Sequence, residues 1–140
     1  MKEWDEDSDQ ASKITPDKER AISLLKLVQL REKDIDSKKE EFTILIVEGY
    51  YEIIKELITA VMSVDGYKTL SHELLVGYLA RFYREFSSAE IHLIDQLRKT
   101  INDIAYRGII INPEYLKRNK NNILATISKL KHLVSRKIKE

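Results

Sequence analysis

The sequence predicts an all-α protein: an up-and-down four-helix bundle with a fifth helical segment. Three observations favour this fold class. The 140 residues include only four Gly and two Pro. Apolar residues recur at three- and four-residue spacing along most of the chain. Capping or turn residues separate these periodic stretches. The length suits one domain, which we assign to residues 15–140. Residues 1–14 form an acidic tail that lacks apolar periodicity, and we expect it to be disordered.

The first two predicted helices meet near Ser37. The first begins at Thr15, whose hydroxyl can cap it, with Pro16 at the first helical position, where its missing N–H costs no hydrogen bond. Ser37 and Glu40 have capping-box spacing for a second helix over residues 37–63. Apolar residues cover more than one face of this second helix, so we expect it to be central. Its surplus apolar surface also favours an interface with a partner.

The next two predicted helices have clear boundary signals. A turn at Asp65-Gly66 precedes the third, over residues 70–86. Ser87 and Glu90 form a second capping-box pair at the start of the fourth. Gly108 is the natural C-cap of that fourth helix.

The fifth predicted helix begins at Asn112-Pro113 and runs to about residue 137. The second and fifth helices would each be about 39 Å long at 1.5 Å per residue. Long amphipathic helices joined by short loops pack as antiparallel neighbours, which gives the up-and-down arrangement.

Charge is balanced overall but not along the chain. The chain has 24 basic and 23 acidic side chains. Residues 1–20 carry seven acidic against four basic side chains, whereas residues 107–140 carry nine basic against two acidic. This pattern has three interpretations: two solvated faces, two ends that meet each other, or a basic end that binds an anion. Net charge therefore does not exclude a nucleic-acid partner.

Composition excludes several classes of protein. With no cysteine, the chain has neither a disulfide scaffold, a thiolate metal site nor a cysteine nucleophile. No apolar run reaches the roughly 18 residues of a membrane span, and the acidic start is not a signal peptide, so we expect a cytoplasmic protein with no membrane partner. Abundant Ile, Lys and Glu with little Gln favour a thermophilic source.

The sequence contains no recognisable metal or cofactor motif. It has no Gly-rich phosphate loop, and its three histidines lie on three different segments: His72, His92 and His132. Glu48, Glu52 and Glu56 recur every four residues, but a di-iron bundle also needs Glu-x-x-His partners. We therefore expect a solvated acidic stripe and no metal or cofactor.

The fourth helix carries the candidate binding residues: Arg98, Asn102, Asp103, Tyr106 and Arg107. Arg98, Asn102 and Tyr106 lie four residues apart and share one helical face. That polar, aromatic and cationic face suits binding of RNA or a nucleotide by charge and stacking. Alternatively, this is an ordinary helix C-terminus in which Tyr106 packs its ring and Arg107 complements the helix dipole.

The stretch Leu97–Gly108 resembles the signature of HEPN proteins, a family of small helical bundles often associated with nucleotidyltransferases. The family pattern is an arginine, often followed by asparagine, and then a histidine close to a glycine. The matching positions are Asn102, Asp103, Ile104, Ala105 and Gly108. The motif arginine falls on Ile101 and the motif histidine on Tyr106. Three upstream stretches also resemble the family: Tyr50–Glu52, Asp65–Lys68 and Ser71–Leu75.

The resemblance implies a binding module without the family's RNA-cleaving pair. Isoleucine supplies no charge, and tyrosine, with a pKa near 10, is a poor base at neutral pH. We expect a non-catalytic module that binds RNA or a nucleotide, or pairs with a small nucleotidyltransferase in a toxin–antitoxin-like arrangement. By resemblance it would be a homodimer with Arg98, Asn102 and Tyr106 near the two-fold axis.

Two alternatives remain open, and with them the question of enzymatic activity. One is a metal-independent ribonuclease with a shifted pair, in which Arg98 or Arg107 binds phosphate and His72 or His92 is the base. The other is a structural bundle with only protein–protein interactions.

Overall fold

Five α-helices and one two-stranded sheet make up the computed structural model, which describes residues 1–140. The helices are α1 (Lys18–Asp36), α2 (Thr43–Asp65), α3 (His72–Phe82), α4 (Ser88–Arg107) and α5 (Pro113–Lys139). The strands are β1 (Ala11–Lys13) and β2 (Tyr67–Thr69). This confirms the all-α prediction. None of the helices combines the length and apolar character that crossing a bilayer requires.

Helix α2 is central, as its sequence predicts. Of its 23 residues, 13 are buried, and it packs against each of the other four helices. Most of the apolar surface that sequence reasoning assigned to a partner is therefore covered within the chain.

The four long helices, α1, α2, α4 and α5, alternate in direction, and only the short α3 departs from this alternation. Helix α1 is antiparallel to α2. Helix α5 runs parallel to α2, because Lys117 Nζ lies 3.4 Å from Glu40 before the start of α2, and Lys137 Nζ lies 2.5 Å from Asp65 at its end. Helix α4 runs antiparallel to α5, because Glu90 near its start pairs with Lys129 in the second half of α5. It therefore carries the chain back to the end of the bundle where α5 begins.

Helix α3 is also parallel to α2, because β2 first carries the chain back along it. The ring of His72, at the start of α3, lies 6.0 Å from the ring of Tyr51 in the first half of α2. Tyr83, just after α3, donates a hydrogen bond to Asp65 at the end of α2. Strand β2 is held by antiparallel pairing with β1, with Ser12 opposite Lys68. This return places the N-terminus of α3 beside Tyr51 rather than at the end of the bundle.

The capping signals of α4 and α5 are confirmed. Ser87 and Glu90 form a reciprocal capping box. Gly108 ends α4 with a φ of 65°, in the left-handed region that glycine tolerates. Asn112 accepts a hydrogen bond from the backbone N–H of Tyr115 at the start of α5.

The other predicted boundaries shift by a few residues. Asp17, not Thr15, caps α1 by accepting a hydrogen bond from Arg20. Ser37 caps the C-terminus of α1, because its hydroxyl donates to the carbonyl of Asp34, and a short 3₁₀ turn separates it from α2. The predicted capping box at Ser37 and Glu40 is therefore wrong. Helix α3 is shorter than the predicted 70–86.

Residues 2–4 lie against α3, and Glu6 accepts a hydrogen bond from Tyr67 of β2, so this segment differs from the disordered tail that the sequence predicts. Trp4 is only 4% exposed, and its ring stands edge-on to Tyr67 and Tyr78 at centroid distances of 5.7 and 4.9 Å. The Lys2 carbonyl crosses α3 at Gly77 so closely that a Cβ there would lie 2.0 Å from it. One aromatic anchor produces no periodicity, so the sequence pattern could not reveal it.

Gly77→Ala is expected to displace this segment, because the added methyl group would collide with backbone. Trp4 is the only tryptophan, so its fluorescence emission should shift to longer wavelength as the ring meets water. Gly49→Ala is the matched control, because a Cβ there would meet only the side chain of Ile35. Unshifted emission in Gly77→Ala would contradict the packing of the N-terminal segment.

Candidate anion-binding site

Arg98 is the most enclosed of the predicted site residues. Its side chain is 13% exposed, and its Nε donates to Asp95 Oδ1 at 3.0 Å. The two terminal amino groups of the guanidinium have no hydrogen-bond partner within the protein, and they are not sealed from solvent. Arg98 thus keeps two terminal donors without a partner in the protein.

The other predicted residues lie on the outer half of α4. The buried positions of α4 end at Leu97, and Asn102 is exposed. Tyr106 is 83% exposed, so it does not pack its ring as the alternative interpretation of this helix end required. Arg107 and Asp103 form a long, exposed ion pair of 3.9 Å. These residues and Arg98 do not form one compact site.

Tyr51 and Lys55 of α2 neighbour each other, and Tyr51 lies close enough to Arg98 to be influenced by its charge. Tyr51 is 2% exposed, yet its hydroxyl makes no hydrogen bond within the protein and is not enclosed. Burial raises the pKa of Tyr51, and the positive charge of Arg98 partly opposes that rise. Lys55 Nζ lies 5.3 Å from the centre of the Tyr51 ring and 2.8 Å from Glu52 Oε1.

His72 completes the group from α3. It is the first residue of that helix, which Ser71 caps, so it lies at the positive end of the helix dipole. Burial is the main cause that lowers the pKa of His72, and the positive charge of Lys55 adds to it; Glu52 partly opposes this lowering, and Arg98 adds a weaker contribution to it. The ring is therefore neutral at pH 7. We call Tyr51, Lys55, His72 and Arg98 the anion cluster.

Asp95 is the counter-ion beneath this cluster. It is 9% exposed, and its carboxylate also lies 3.4 Å from Lys99 Nζ and 3.5 Å from the amino group of Met1. Burial raises the pKa of Asp95, but the hydrogen bond and charge of Arg98 outweigh it, so the pKa lies below its usual value. Asp95 stays ionised at neutral pH and holds Arg98 by its Nε.

The cluster can bind an anion. In and beside the cluster, four positive groups (Lys55, Arg98, Lys99 and the amino group of Met1) stand against two carboxylates, those of Glu52 and Asp95. The free end of a guanidinium matches the spacing of phosphate or carboxylate oxygens, and the Tyr51 hydroxyl offers a further donor. No three His, Asp or Glu side chains converge on a possible metal position.

The basic end of the chain is largely neutralised. Five cations of α5 form ion pairs, and none of their acidic partners belongs to residues 1–20. The pairs are Lys117–Glu40, Lys129–Glu90, Lys131–Glu32, Arg136–Glu85 and Lys137–Asp65. The two charged ends therefore do not meet each other, and α5 does not offer a continuous cationic surface.

Sequence reasoning found Arg98 but missed its neighbours. The family resemblance includes Tyr51 and His72, and His72 is also a possible base, but no pattern in the sequence joins them to Arg98 or points to Lys55. Their convergence depends on the return of the chain along β2, which no local pattern indicates.

Comparison with known proteins identifies no matching family profile, no matching curated protein and no matching solved structure. The HEPN-like resemblance therefore stays a prediction.

The depressed pKa of His72 provides a test of the cluster. Because the folded pKa lies below the unfolded value near 6.5, the unfolded chain binds this proton more readily. His72 therefore lowers folding stability as the pH falls through that value. Lys55→Gln removes a neighbouring positive charge and should raise the pKa of His72, measured by NMR titration of its ring protons. Lys26→Ala, an exposed change on α1, is the control. An unchanged His72 pKa in Lys55→Gln would contradict this geometry.

Proposed function

We propose that this protein is a non-catalytic helical module that binds RNA or a nucleotide through the anion cluster. The observation that carries the proposal is that Arg98 and Tyr51, on the two contacting helices α4 and α2, both keep donors without a partner in the protein. Buried or nearly buried donors normally have partners, and unused ones that face outward mark a place for a ligand.

The charge of the cluster supports a phosphate ligand. Arg98 donates to phosphate oxygens in a fixed fork geometry, and a charge-assisted hydrogen bond of this kind is stronger than a neutral one. The positive end of α3 adds to the attraction. Asp95 holds the guanidinium in place through its Nε, so little side-chain freedom is lost on binding.

The absence of the family's catalytic pair supports binding without cleavage. Ile101 carries no charge, and Tyr106 lies eight residues from Arg98, about 12 Å along a helix. Tyr106 therefore does not join the anion cluster.

A second candidate function is metal-independent RNA cleavage with Arg98 and His72. The lowered pKa of His72 and the two unpartnered nitrogens of Arg98, on the contacting helices α3 and α4, support it. Neutral His72 would take the proton of a ribose 2′-hydroxyl as the 2′-oxygen bonds to phosphorus. Arg98 would stabilise the added negative charge. The P–O5′ bond then breaks, and the departing oxygen takes a proton from water.

Membership of the HEPN family, homodimerisation, pairing with a small nucleotidyltransferase and a cytoplasmic location stay predictions. Three exposed apolar residues at the turn between α4 and α5 support a protein partner: Tyr106, Ile109 and Ile110. Exposed apolar groups that lie together mark interaction surfaces.

Incubation with labelled RNA in the absence of metal separates the two functions. We expect binding without cleavage, and Arg98→Ala should weaken binding about tenfold to a hundredfold, since hydrogen bonds to charged groups contribute about 1.5–3 kcal/mol. Arg118→Ala is the matched control, because Arg118 is exposed and lies outside the cluster. Circular dichroism of each variant checks that the helices remain.

Cleavage that is lost in both His72→Ala and Arg98→Ala would overturn the binding proposal in favour of the ribonuclease. Binding of neither RNA nor any nucleotide would overturn both and leave the structural bundle.

A further inference from the structure

We infer that a cleft between α3 and α4, outside the anion cluster, binds a small organic carboxylate with an apolar body. The cleft has a volume of about 560 Å³, within the range of roughly 300–1,000 Å³ that is usual for small-molecule sites. Its walls come from the end of α3, the turn after it and the first part of α4. We call it the α3–α4 cleft. Its lining includes no residue of the anion cluster.

Apolar side chains form nearly half of the lining. Four of its nine residues are apolar: Met1, Ala80, Phe86 and Ile91. Phe86 and Ile91 are only 5% and 8% exposed, so core packing fixes them and this surface exists before a ligand arrives. Ligand sites commonly combine such a surface with a few polar groups that fix orientation. A bare inorganic anion would leave the apolar surface in water, whereas the body of an organic anion would cover it.

Arg84 is the cation of the lining that has no partner. It is exposed, and its guanidinium makes neither a hydrogen bond nor an ion pair. Glu85, next to it in the chain, pairs with Arg136 instead. Asp95, in the same cleft, is held by three other positive groups. The fork of a guanidinium matches the two oxygens of a carboxylate, so Arg84 is the group that would bind the charged end of the ligand.

His92 offers a second donor in the cleft. Its Nε2 lies 3.3 Å from Gln96 Nε2, and because an amide nitrogen only donates, His92 Nε2 is the acceptor. The proton of the neutral ring therefore lies on Nδ1, which has no partner in the protein. The lining thus offers a carboxylate donors of two kinds, a guanidinium and an imidazole.

The balance of charge favours a monoanion. The charged groups of the lining are Arg84, the amino group of Met1 and Asp95, two positive against one negative. Arg98 and Lys99, which pair with Asp95, add to the positive side. A cationic ligand would therefore be repelled. A single carboxylate, with a charge of −1, matches the one unpartnered cation of the lining.

The test titrates the whole chain with 3-phenylpropanoate and follows the ¹H–¹⁵N and methyl ¹H–¹³C NMR spectra. Three comparison compounds separate the two parts of the ligand. 3-Phenylpropan-1-ol has the same body without a charge, 3-phenylpropylamine has the opposite charge, and acetate has the charge without the body. Arg84→Gln removes the cation. Arg81→Gln is its matched control, because Arg81 is exposed, lies on the same helix and does not line the cleft.

We expect saturable shifts at Ala80, Ser88 and Ile91, with a Kd of about 1 mM for a ligand of this size. The carboxylate should bind about threefold to fivefold more tightly than the alcohol, the range of an exposed ion pair, and acetate and the amine should bind more weakly still. Arg84→Gln should remove the preference for the carboxylate over the alcohol, and Arg81→Gln should keep it.

A second pair of variants tests the cleft itself. Ala80→Leu narrows it and should weaken binding of both the carboxylate and the alcohol. Ala105→Leu, an exposed change farther along α4, should leave both unchanged. Circular dichroism checks that the helices remain in each variant.

Three results would overturn this inference: equal binding of carboxylate and alcohol, a preference that persists in Arg84→Gln, or no saturable shift at the cleft. Shifts centred on Tyr51 and Arg98 would also overturn it, because they would place the carboxylate in the anion cluster. RNA binding is measured separately with Arg98→Ala, so a failure at the cleft leaves the proposed function standing.

Discussion

The burial of α2 is the constraint on which the rest of the structure depends. This helix contacts α1, α3, α4 and α5, and Ile53, Ile54, Leu57 and Ile58 are at most 1% exposed. Each such side chain contributes about 1.5–3 kcal/mol by leaving water. Because α2 must be covered on nearly every side, the chain has to return along it, and β2 does so before α3 begins. That return brings α3 and α4 together over Tyr51, which creates the anion cluster.

Ion pairs join α5 to the rest of the bundle. Asp65, at the end of α2, accepts hydrogen bonds of 2.5 Å from both Tyr78 and Tyr83 and pairs with Lys137 of α5. Other cations of α5 pair with acidic groups on α1, before α2 and around the start of α4. Arg98 is different, because its ion pair with Asp95 engages only one of its nitrogens and leaves the other two without a partner in the protein.

Sequence patterns predicted the features that depend on neighbouring residues. The caps at Ser87, Gly108 and Asn112 follow from local hydrogen bonding and backbone geometry, and the centrality of α2 follows from its apolar periodicity. Ser37 has the right spacing to begin a helix, yet it ends one, since its hydroxyl can satisfy either terminus. The candidate site was predicted only in part, as Arg98. Its partners come from distant positions, and their approach depends on the path of the chain through β2. Trp4 was missed for a related reason: a single anchor has no period.

The most direct test of phosphate binding at the anion cluster is a ¹H–¹⁵N NMR titration of the whole chain with adenosine monophosphate. If the anion cluster is the binding site, the largest chemical-shift changes fall at Tyr51, Lys55, His72 and Arg98, with little change along α5. The absence of any shift, or shifts centred on the basic residues between Lys117 and Lys139, would contradict it.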